Sequence, residues 1–164
     1  MGQFPMRSWS VRCPAAQDTE ALGRALGRLL FPGAAVALVG ELGAGKTTFA
    51  RGVLEGLGVH GYLHSPSFSL VHEYPGPVYH LDFYRLEQPQ TETALDWEEY
   101  LGGEGVALVE WADRCAELLP PRRLEVRLEV LPDGVRRIRL TAYGTALAAV
   151  VAALAATQGE PAGL

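Results

Sequence analysis

Gly40-Glu41-Leu42-Gly43-Ala44-Gly45-Lys46-Thr47 matches the phosphate-loop pattern G-x-x-x-x-G-K-[ST] at every position. Glycines at these spacings let the backbone curl, so that successive N–H groups point at phosphate oxygens. Lys46 supplies a point charge for the β- and γ-phosphates, and the Thr47 hydroxyl takes one coordination position on Mg²⁺. The stretch from Gly40 to Thr47, together with Thr48, is therefore the predicted site for a nucleotide and its magnesium ion.

The residues on both sides of this loop predict the strand and the helix that it needs. Ala34–Val39 is a continuous apolar run of strand length, as expected for a strand covered on both faces. A helix is expected from about Lys46 to Leu57, closed by Gly58, and its positive N-terminal end would add to the phosphate site. A chance match to the pattern would lack both neighbours.

The rest of the chain alternates strand and helix signals. Asp18 and Thr19 are good caps for a first helix, which carries Leu22, Leu26, Leu29 and Leu30 at helical spacing and is stopped by Pro32 and Gly33. The other predicted elements are a strand over Ser8–Cys13, a loop leading into a strand over Ser65–Tyr74, strands over Val78–Phe83 and Gly105–Val109, a hairpin of Leu124–Leu131 and Val135–Thr141, and helices over Glu92–Leu101 and Ala146–Ala156. These signals predict one α/β domain over residues 1–164, with a flexible polar tail after about residue 157.

Composition excludes several classes of protein. The net charge of -5 argues against independent nucleic-acid binding, which favours a basic face. The longest apolar run, Ala146–Ala156, is about half as long as a membrane span. The N-terminus lacks the apolar core of a signal peptide, so we expect a cytoplasmic protein with no membrane segment. Cys13 and Cys115 show no metal-ligand spacing and are expected to be buried free thiols.

Two absences concern the nucleotide. Lys46 is the only lysine in the chain, and every other residue in the total of 14 lysines and arginines is an arginine. Asparagine is missing altogether, so the Asn-Lys-x-Asp element that reads guanine in many GTPases is not present. ATP is therefore the expected nucleotide. No pattern locates the adenine pocket, for which the segment between Cys13 and Thr19 is a hypothesis.

A phosphate-loop enzyme also needs an acid at the end of another buried strand, to hold Mg²⁺ or to order a water. Glu110 follows the apolar run Val106–Val109, and Asp82 follows the alternating strand Val78–Leu81. Acids at the carboxyl ends of parallel strands lie on the ligand-binding edge of an open α/β sheet. Lys46, Asp82 and Glu110 are the predicted catalytic residues, although each acid alone would also fit a solvated charge at a strand end.

Other residues give weaker signals. The hydroxyls of Ser65-Pro66-Ser67-Phe68 fit a loop that senses the γ-phosphate, but the segment also fits an ordinary turn. His72 and His80 fit half-buried strand positions, and Trp111 fits a packing residue better than a functional one. Arg85 fits a phosphate contact, although an arginine that follows a strand more often forms a surface ion pair.

These elements in this order resemble the TsaE (YjeE) family, the ATPases of bacterial tRNA threonylcarbamoyladenosine synthesis. The resemblance spans roughly residues 8–140. It is carried by the phosphate loop with Thr48-Phe49, by Ser65-Pro66-Ser67-Phe68, by His80-Leu81-Asp82-Phe83-Tyr84-Arg85-Leu86 and by Leu108-Val109-Glu110-Trp111. The loop alone is generic, whereas the combination with His-x-Asp-x-Tyr-Arg and Val-Glu-Trp is specific.

The resemblance implies a P-loop NTPase-like mixed sheet flanked by helices, here with a C-terminal β-hairpin and helix. It implies that Thr47 and Glu110 contact magnesium and that Asp82 is an acid of the active site. Ser67 stands where the family usually has threonine, and it keeps the hydroxyl. The implied partners are TsaB and TsaD, which transfer a threonylcarbamoyl group to adenosine 37 of tRNA, while ATP hydrolysis by TsaE resets that complex. Contact with tRNA would then be indirect only.

Two alternatives from other classes remain. A small-molecule kinase of P-loop fold would need an acceptor site and usually a lid with several arginines. The adjacent arginine pairs, Arg122-Arg123 and Arg136-Arg137, lie in or beside the predicted hairpin, and no lid-like insertion is evident. A nucleotide-gated binding module without hydrolysis is the third reading. Product analysis separates the three.

Overall fold

The computed structural model describes residues 4–60, 71–84 and 97–159. In chain order the elements are β1 (Arg7–Cys13), α1 (Ala16–Gly27), β2 (Ala35–Gly40), α2 (Lys46–Gly56), β3 (Val71–Tyr74), β4 (Val78–Asp82), α3 (Trp97–Tyr100), β5 (Val106–Glu110), a 3₁₀ helix (Ala112–Leu118), β6 (Arg123–Val130), β7 (Arg136–Tyr143) and α4 (Thr145–Thr157). The order follows the alternation of signals in the sequence. Strands β6 and β7 pair antiparallel and confirm the predicted hairpin, whose turn contains Pro132-Asp133-Gly134.

The described strands form one mixed sheet in the order β1-β7-β6-β2-β5-β4-β3. The central strands β6, β2, β5 and β4 run parallel, whereas β7, β1 and β3 pair antiparallel with their neighbours. The carboxyl ends of the parallel strands therefore meet at one edge of the sheet, where ligands bind in α/β folds. In the register, Glu110 lies beside both Leu38 of β2 and Asp82 of β4.

Alternate residues of the central strands enter two apolar clusters, one on each face of the sheet. On β2, Val36 and Leu38 join the cluster beneath α1, α2 and α4, whereas Ala37 and Val39 join the cluster beneath α3 and the 3₁₀ helix. This two-sided burial explains why β2 reads as a continuous apolar run. Cys13 and Cys115 are both buried and neither is part of a disulfide, as predicted.

Helix α2, which follows the phosphate loop, is seated by close glycine contacts with α1. A Cβ atom built on Gly52 would lie 2.1 Å from the Glu20 carbonyl oxygen, and one built on Gly56 would lie 2.2 Å from the Arg24 carbonyl oxygen. Real Cβ atoms do not approach so closely, so only glycine permits this backbone contact. The glycines therefore determine how near α2 lies to α1.

Several predicted boundaries were wrong. Helix α1 begins at Ala16 rather than at Asp18, and the Asp18 carboxylate accepts a hydrogen bond from the Ala15 N–H at 2.9 Å. Asp18 thus caps the helix from within its first turn, as the acid of a capping box does. The same helix ends at Gly27, so Leu29 and Leu30 lie beyond it.

Of the helix predicted over Glu92–Leu101, the structure describes only α3. The Ser65–Phe68 loop, Arg85 and most of the polar tail lie outside the described residues. Helix α4 confirms the alanine-rich helix and packs on β7 and β1. In the ranges described here, no helix combines the length and apolar character needed to cross a membrane.

Candidate functional site

The phosphate loop joins the end of β2 to the start of α2 and owes its shape to glycine. Gly43 and Gly45 have φ angles of 83° and 102°, in the left-handed region that strongly favours glycine. A Cβ on Gly40 would lie 2.6 Å from the Leu128 carbonyl oxygen of β6. The loop can therefore curl tightly between α2 and β6, with the N-terminal turn of α2 facing the ligand edge of the sheet.

Lys46, the first residue of α2, is buried at the centre of the site. Its Nζ donates hydrogen bonds to the carbonyl oxygens of Gly40 and, at 2.9 Å, of Glu41. Burial lowers the pKa of Lys46, and the negative charges of Glu110, Asp113, Asp82 and Glu41 oppose that shift. The ammonium group thus braces the start of the loop and lies amid carboxylates that favour its charged form.

Trp111 covers this lysine. The Lys46 Nζ lies 3.8 Å from the centroid of the Trp111 ring, within the range of a cation–π contact. Trp111 has φ 58° and ψ 39°, an uncommon conformation for a residue with a side chain, and its ring also contacts Tyr84 at a centroid distance of 4.8 Å. The sequence favoured a packing role, whereas the structure also places the ring against the phosphate-site lysine.

Glu110 ends β5 and is 2% exposed. One of its oxygens, Oε1, accepts a hydrogen bond from the Thr47 hydroxyl at 3.4 Å. The other, Oε2, lies 2.6 Å from Nε2 of His80, which is 1% exposed. The predicted half-buried position of His80 was wrong, because the histidine lies wholly inside the protein as a partner of Glu110.

Asp82 ends β4 beside Glu110 and is half-buried. Its Oδ1 accepts a hydrogen bond from the Tyr84 N–H at 2.8 Å, which holds the chain as it leaves the strand. The structure therefore brings all three predicted catalytic residues, Lys46, Asp82 and Glu110, to the same edge of the sheet.

The donor set fits magnesium held together with a nucleotide. Within residues 4–60, 71–84 and 97–159, no group of three or more His, Cys, Asp or Glu side chains could hold a metal ion. Magnesium at phosphate sites usually keeps several waters and takes only one or two protein oxygens, the rest coming from the phosphates. Thr47 Oγ1, in the first turn of α2, and Glu110 Oε1, at the end of β5, lie 3.4 Å apart and are two oxygens that would suit this role.

A cavity of about 190 Å³ lies between the phosphate loop and the segment that joins β1 to α1. It is lined by Cys13, Pro14, Ala15, Ala16, Thr19, Gly45, Thr48 and Arg136. Nη2 of Arg136 donates to the Gly43 carbonyl oxygen at 3.1 Å, so the start of β7 touches the phosphate loop. Sequence reasoning missed Arg136, which stood out only as half of an arginine pair. Only the parallel pairing of β6 with β2 brings the hairpin beside the loop.

Comparisons of the sequence and of the fold with known proteins point to one family. The family model described as threonylcarbamoyl adenosine biosynthesis protein TsaE matches residues 13–138. A tRNA threonylcarbamoyladenosine biosynthesis protein TsaE of Bacillus subtilis (strain 168) is 39% identical over 142 residues, or 85% of this chain and 89% of the relative. One of the same name from Treponema pallidum (strain Nichols) is 41% identical over 132 residues, or 78% and 98%.

The crystal structure of Bacillus subtilis YdiB superposes with a TM-score of 0.81 at 33% identity, and the match covers 93% of this chain and 97% of that one. The predicted P-loop NTPase-like fold, with a mixed sheet flanked by helices and a C-terminal hairpin and helix, is therefore confirmed. Because the family model spans most of the chain and relatives match along most of their own length, the protein belongs to the TsaE family of tRNA threonylcarbamoyladenosine biosynthesis proteins.

Proposed function

We propose that this protein is a P-loop ATPase that acts on a TsaB–TsaD-type transferase complex during threonylcarbamoyl modification of adenosine 37 in tRNA. The observation that carries the proposal is the meeting of Lys46, Thr47 and Glu110 at the loop, two of them buried, on the ligand edge of the sheet. An ammonium group, a hydroxyl group and a carboxylate in this arrangement suit a nucleotide triphosphate with its magnesium ion.

Each residue of the site would have a separate role in binding the phosphates and the magnesium ion. The loop N–H groups and the N-terminus of α2 receive phosphate oxygens. Lys46, held at the loop by the Gly40 and Glu41 carbonyls, would place its charge on the β- and γ-phosphates. Thr47 and Glu110 would hold magnesium, which when bound neutralises charge developing on the phosphate oxygens. Asp82, beside Glu110, is the candidate for orienting the attacking water.

The nucleoside end would lie in the 190 Å³ cavity. Its lining includes Cys13, Pro14, Ala15, Ala16 and Thr19, which belong to the segment suggested for the adenine pocket. Arg136 closes the cavity towards the loop and carries the charge that would meet the α-phosphate or the ribose hydroxyls. Base and phosphates would then lie on either side of Gly45, which lines the cavity and directly precedes Lys46.

Hydrolysis is expected to be slow for the protein alone. An arginine finger supplied by a partner contributes about 10³–10⁵ in rate in other P-loop enzymes. We expect a smaller gain here, because the partner need not insert an arginine. The net charge of -5 supports contact through protein partners rather than direct retention of tRNA.

A phosphate-release assay with product analysis tests the proposal. Orthophosphate from ATP supports an ATPase, a phosphorylated metabolite would support the kinase alternative, and intact ATP would support a binding module. Lys46→Ala should weaken ATP binding about tenfold or more, because a hydrogen bond to a charged group contributes about 1.5–3 kcal/mol. Arg51→Ala, which removes an exposed cation from the same helix, is the matched control.

A pull-down with purified TsaB and TsaD in ATP, ADP or no nucleotide tests the proposed action on the transferase complex. Binding should be strongest with ATP, because only the γ-phosphate can hold a loop in a docking form. Equal binding in all three conditions, with no rate change on mixing, would overturn the accessory role and favour the kinase.

A further inference from the structure

We propose that His80 is a positioning residue for the magnesium-binding carboxylate of Glu110, an inference that rests on the function proposed above. His80 lies two residues before Asp82 on β4, and Glu110 ends β5. Neither the phosphate loop nor the acids require a histidine here. Its contact with Glu110 shows what it does.

Strand alternation places His80 and Glu110 on the same face of the sheet. Val78 of β4 and Leu108 of β5 lie two residues before them and both join the apolar cluster under α1 and α2. In the parallel register His80 lies beside Leu108 and Asp82 beside Glu110, so the imidazole sits one step deeper in the sheet than the carboxylate. The histidine therefore reaches Glu110 from the side of the protein core.

The two oxygens of Glu110 have different partners. Oε2 lies 2.6 Å from His80 Nε2, and Oε1 lies 3.4 Å from the Thr47 hydroxyl at the loop. An ionised carboxylate only accepts hydrogen bonds, so with Glu110 ionised the Nε2–H group of His80 is the donor in this contact. Among the described residues, the buried Nδ1 of His80 has no hydrogen-bond partner. The short contact with Glu110 is thus the polar contact that the structure assigns to this imidazole.

This division directs Oε1 towards the metal side. Because His80 holds Oε2 from the side of the protein core, rotation of the carboxylate is restricted. Oε1 therefore stays beside the Thr47 hydroxyl, with which it would share the magnesium ion. Without the histidine, Glu110 would keep only the longer contact with Thr47 and the attraction of Lys46, which would draw it off the metal position. Removing the partners that orient metal ligands typically costs about 10–100-fold in metal affinity or activity.

The test is the magnesium dependence of nucleotide binding, measured by calorimetry with β,γ-methylene-ATP in EDTA and across a magnesium titration. In His80→Phe we expect the magnesium concentration for half-maximal effect to rise about 10–100-fold, while affinity in EDTA stays within about twofold of the wild type. His60→Phe, which replaces an exposed histidine beyond α2, is the matched control and should keep the wild-type dependence.

Two further variants cover the case in which His80→Phe does not fold. The amide nitrogen of Gln reaches about as far as the histidine Nε2, whereas that of Asn is shorter. His80→Gln should therefore recover most of the magnesium effect and His80→Asn should not. Equal behaviour of these two variants would overturn the proposal, as would a folded His80→Phe with wild-type magnesium dependence or with an equal loss of affinity in EDTA.

The wild-type control separates this inference from the proposed function. If the wild-type protein binds the analogue no better with magnesium than in EDTA, the proposed magnesium–nucleotide site itself fails. If the wild type shows the dependence and His80→Phe keeps it, only the positioning role fails.

Discussion

Substitution of Gly52 by alanine should disturb the phosphate site from a distance. The new Cβ would lie 2.1 Å from the Glu20 carbonyl oxygen, against the 3.4 Å of ordinary van der Waals contact. Relief requires α1 and α2 to move apart by about 1.3 Å at this point. Gly52 lies about 9 Å along α2 from Lys46, at a rise of 1.5 Å per residue, so the movement should reach the start of the helix.

The expected cost combines two opposing terms. Overpacking of this kind costs about 1–3 kcal/mol, and the better helix propensity of alanine returns about 0.8–1.0 kcal/mol. A net loss of up to about 2 kcal/mol should lower the unfolding temperature by up to about 8 °C for a domain of this size. A displacement of about 1 Å at a catalytic group can cost about 100-fold in rate, so phosphate release should fall about 10–100-fold.

Calorimetric melting and the phosphate-release assay measure the two effects on the same preparation. Arg51→Ala is the control, because this exposed neighbour on α2 should change unfolding by no more than about 0.5 kcal/mol. A Gly52→Ala protein with wild-type melting temperature and rate would refute the packing argument. Lower stability with an undiminished rate would refute the link between the glycine contact and the site.

Further predictions concern single residues of the site. Glu110→Gln should lose both hydrolysis and magnesium dependence, whereas Asp82→Asn should lose hydrolysis and still bind nucleotide; wild-type rates in both, with partners present, would remove the two acids from the site. Arg136→Ala should weaken ATP binding about tenfold in calorimetry, because a charged contact contributes about 1.5–3 kcal/mol. The exposed Arg137→Ala is its control, and an equal effect of both changes would contradict a specific contact. Trp111→Leu should weaken ATP binding about two- to fivefold through loss of a cation–π contact of about 0.5–1 kcal/mol at Lys46; unchanged affinity would leave Trp111 a packing residue.

Features that depend only on residues close together along the chain could be predicted from the sequence. The phosphate loop is such a feature, because the backbone freedom of Gly43 and Gly45 and the charge of Lys46 act within one turn of chain. The strand ends at Asp82 and Glu110 were also predictable, since a buried strand reads as an apolar run and its terminal acid marks the sheet edge. The cap of α1 was misplaced, because Asp18 suits both the cap and the third helical position.

Local sequence pattern was therefore enough to place the phosphate loop and to put Asp82 and Glu110 at two strand ends, whereas the class of ligand stays a prediction. Which side chains contact the loop and the two acids depends on how the strands pair. His80 and Glu110 are 30 positions apart, Thr47 and Glu110 are 63 apart, and Gly43 and Arg136 are 93 apart. The order and register of parallel strands bring these residues together, and no local pattern states that register. The pairing of β4 with β5 buries the imidazole against the carboxylate, and the pairing of β2 with β6 carries Arg136 to the loop.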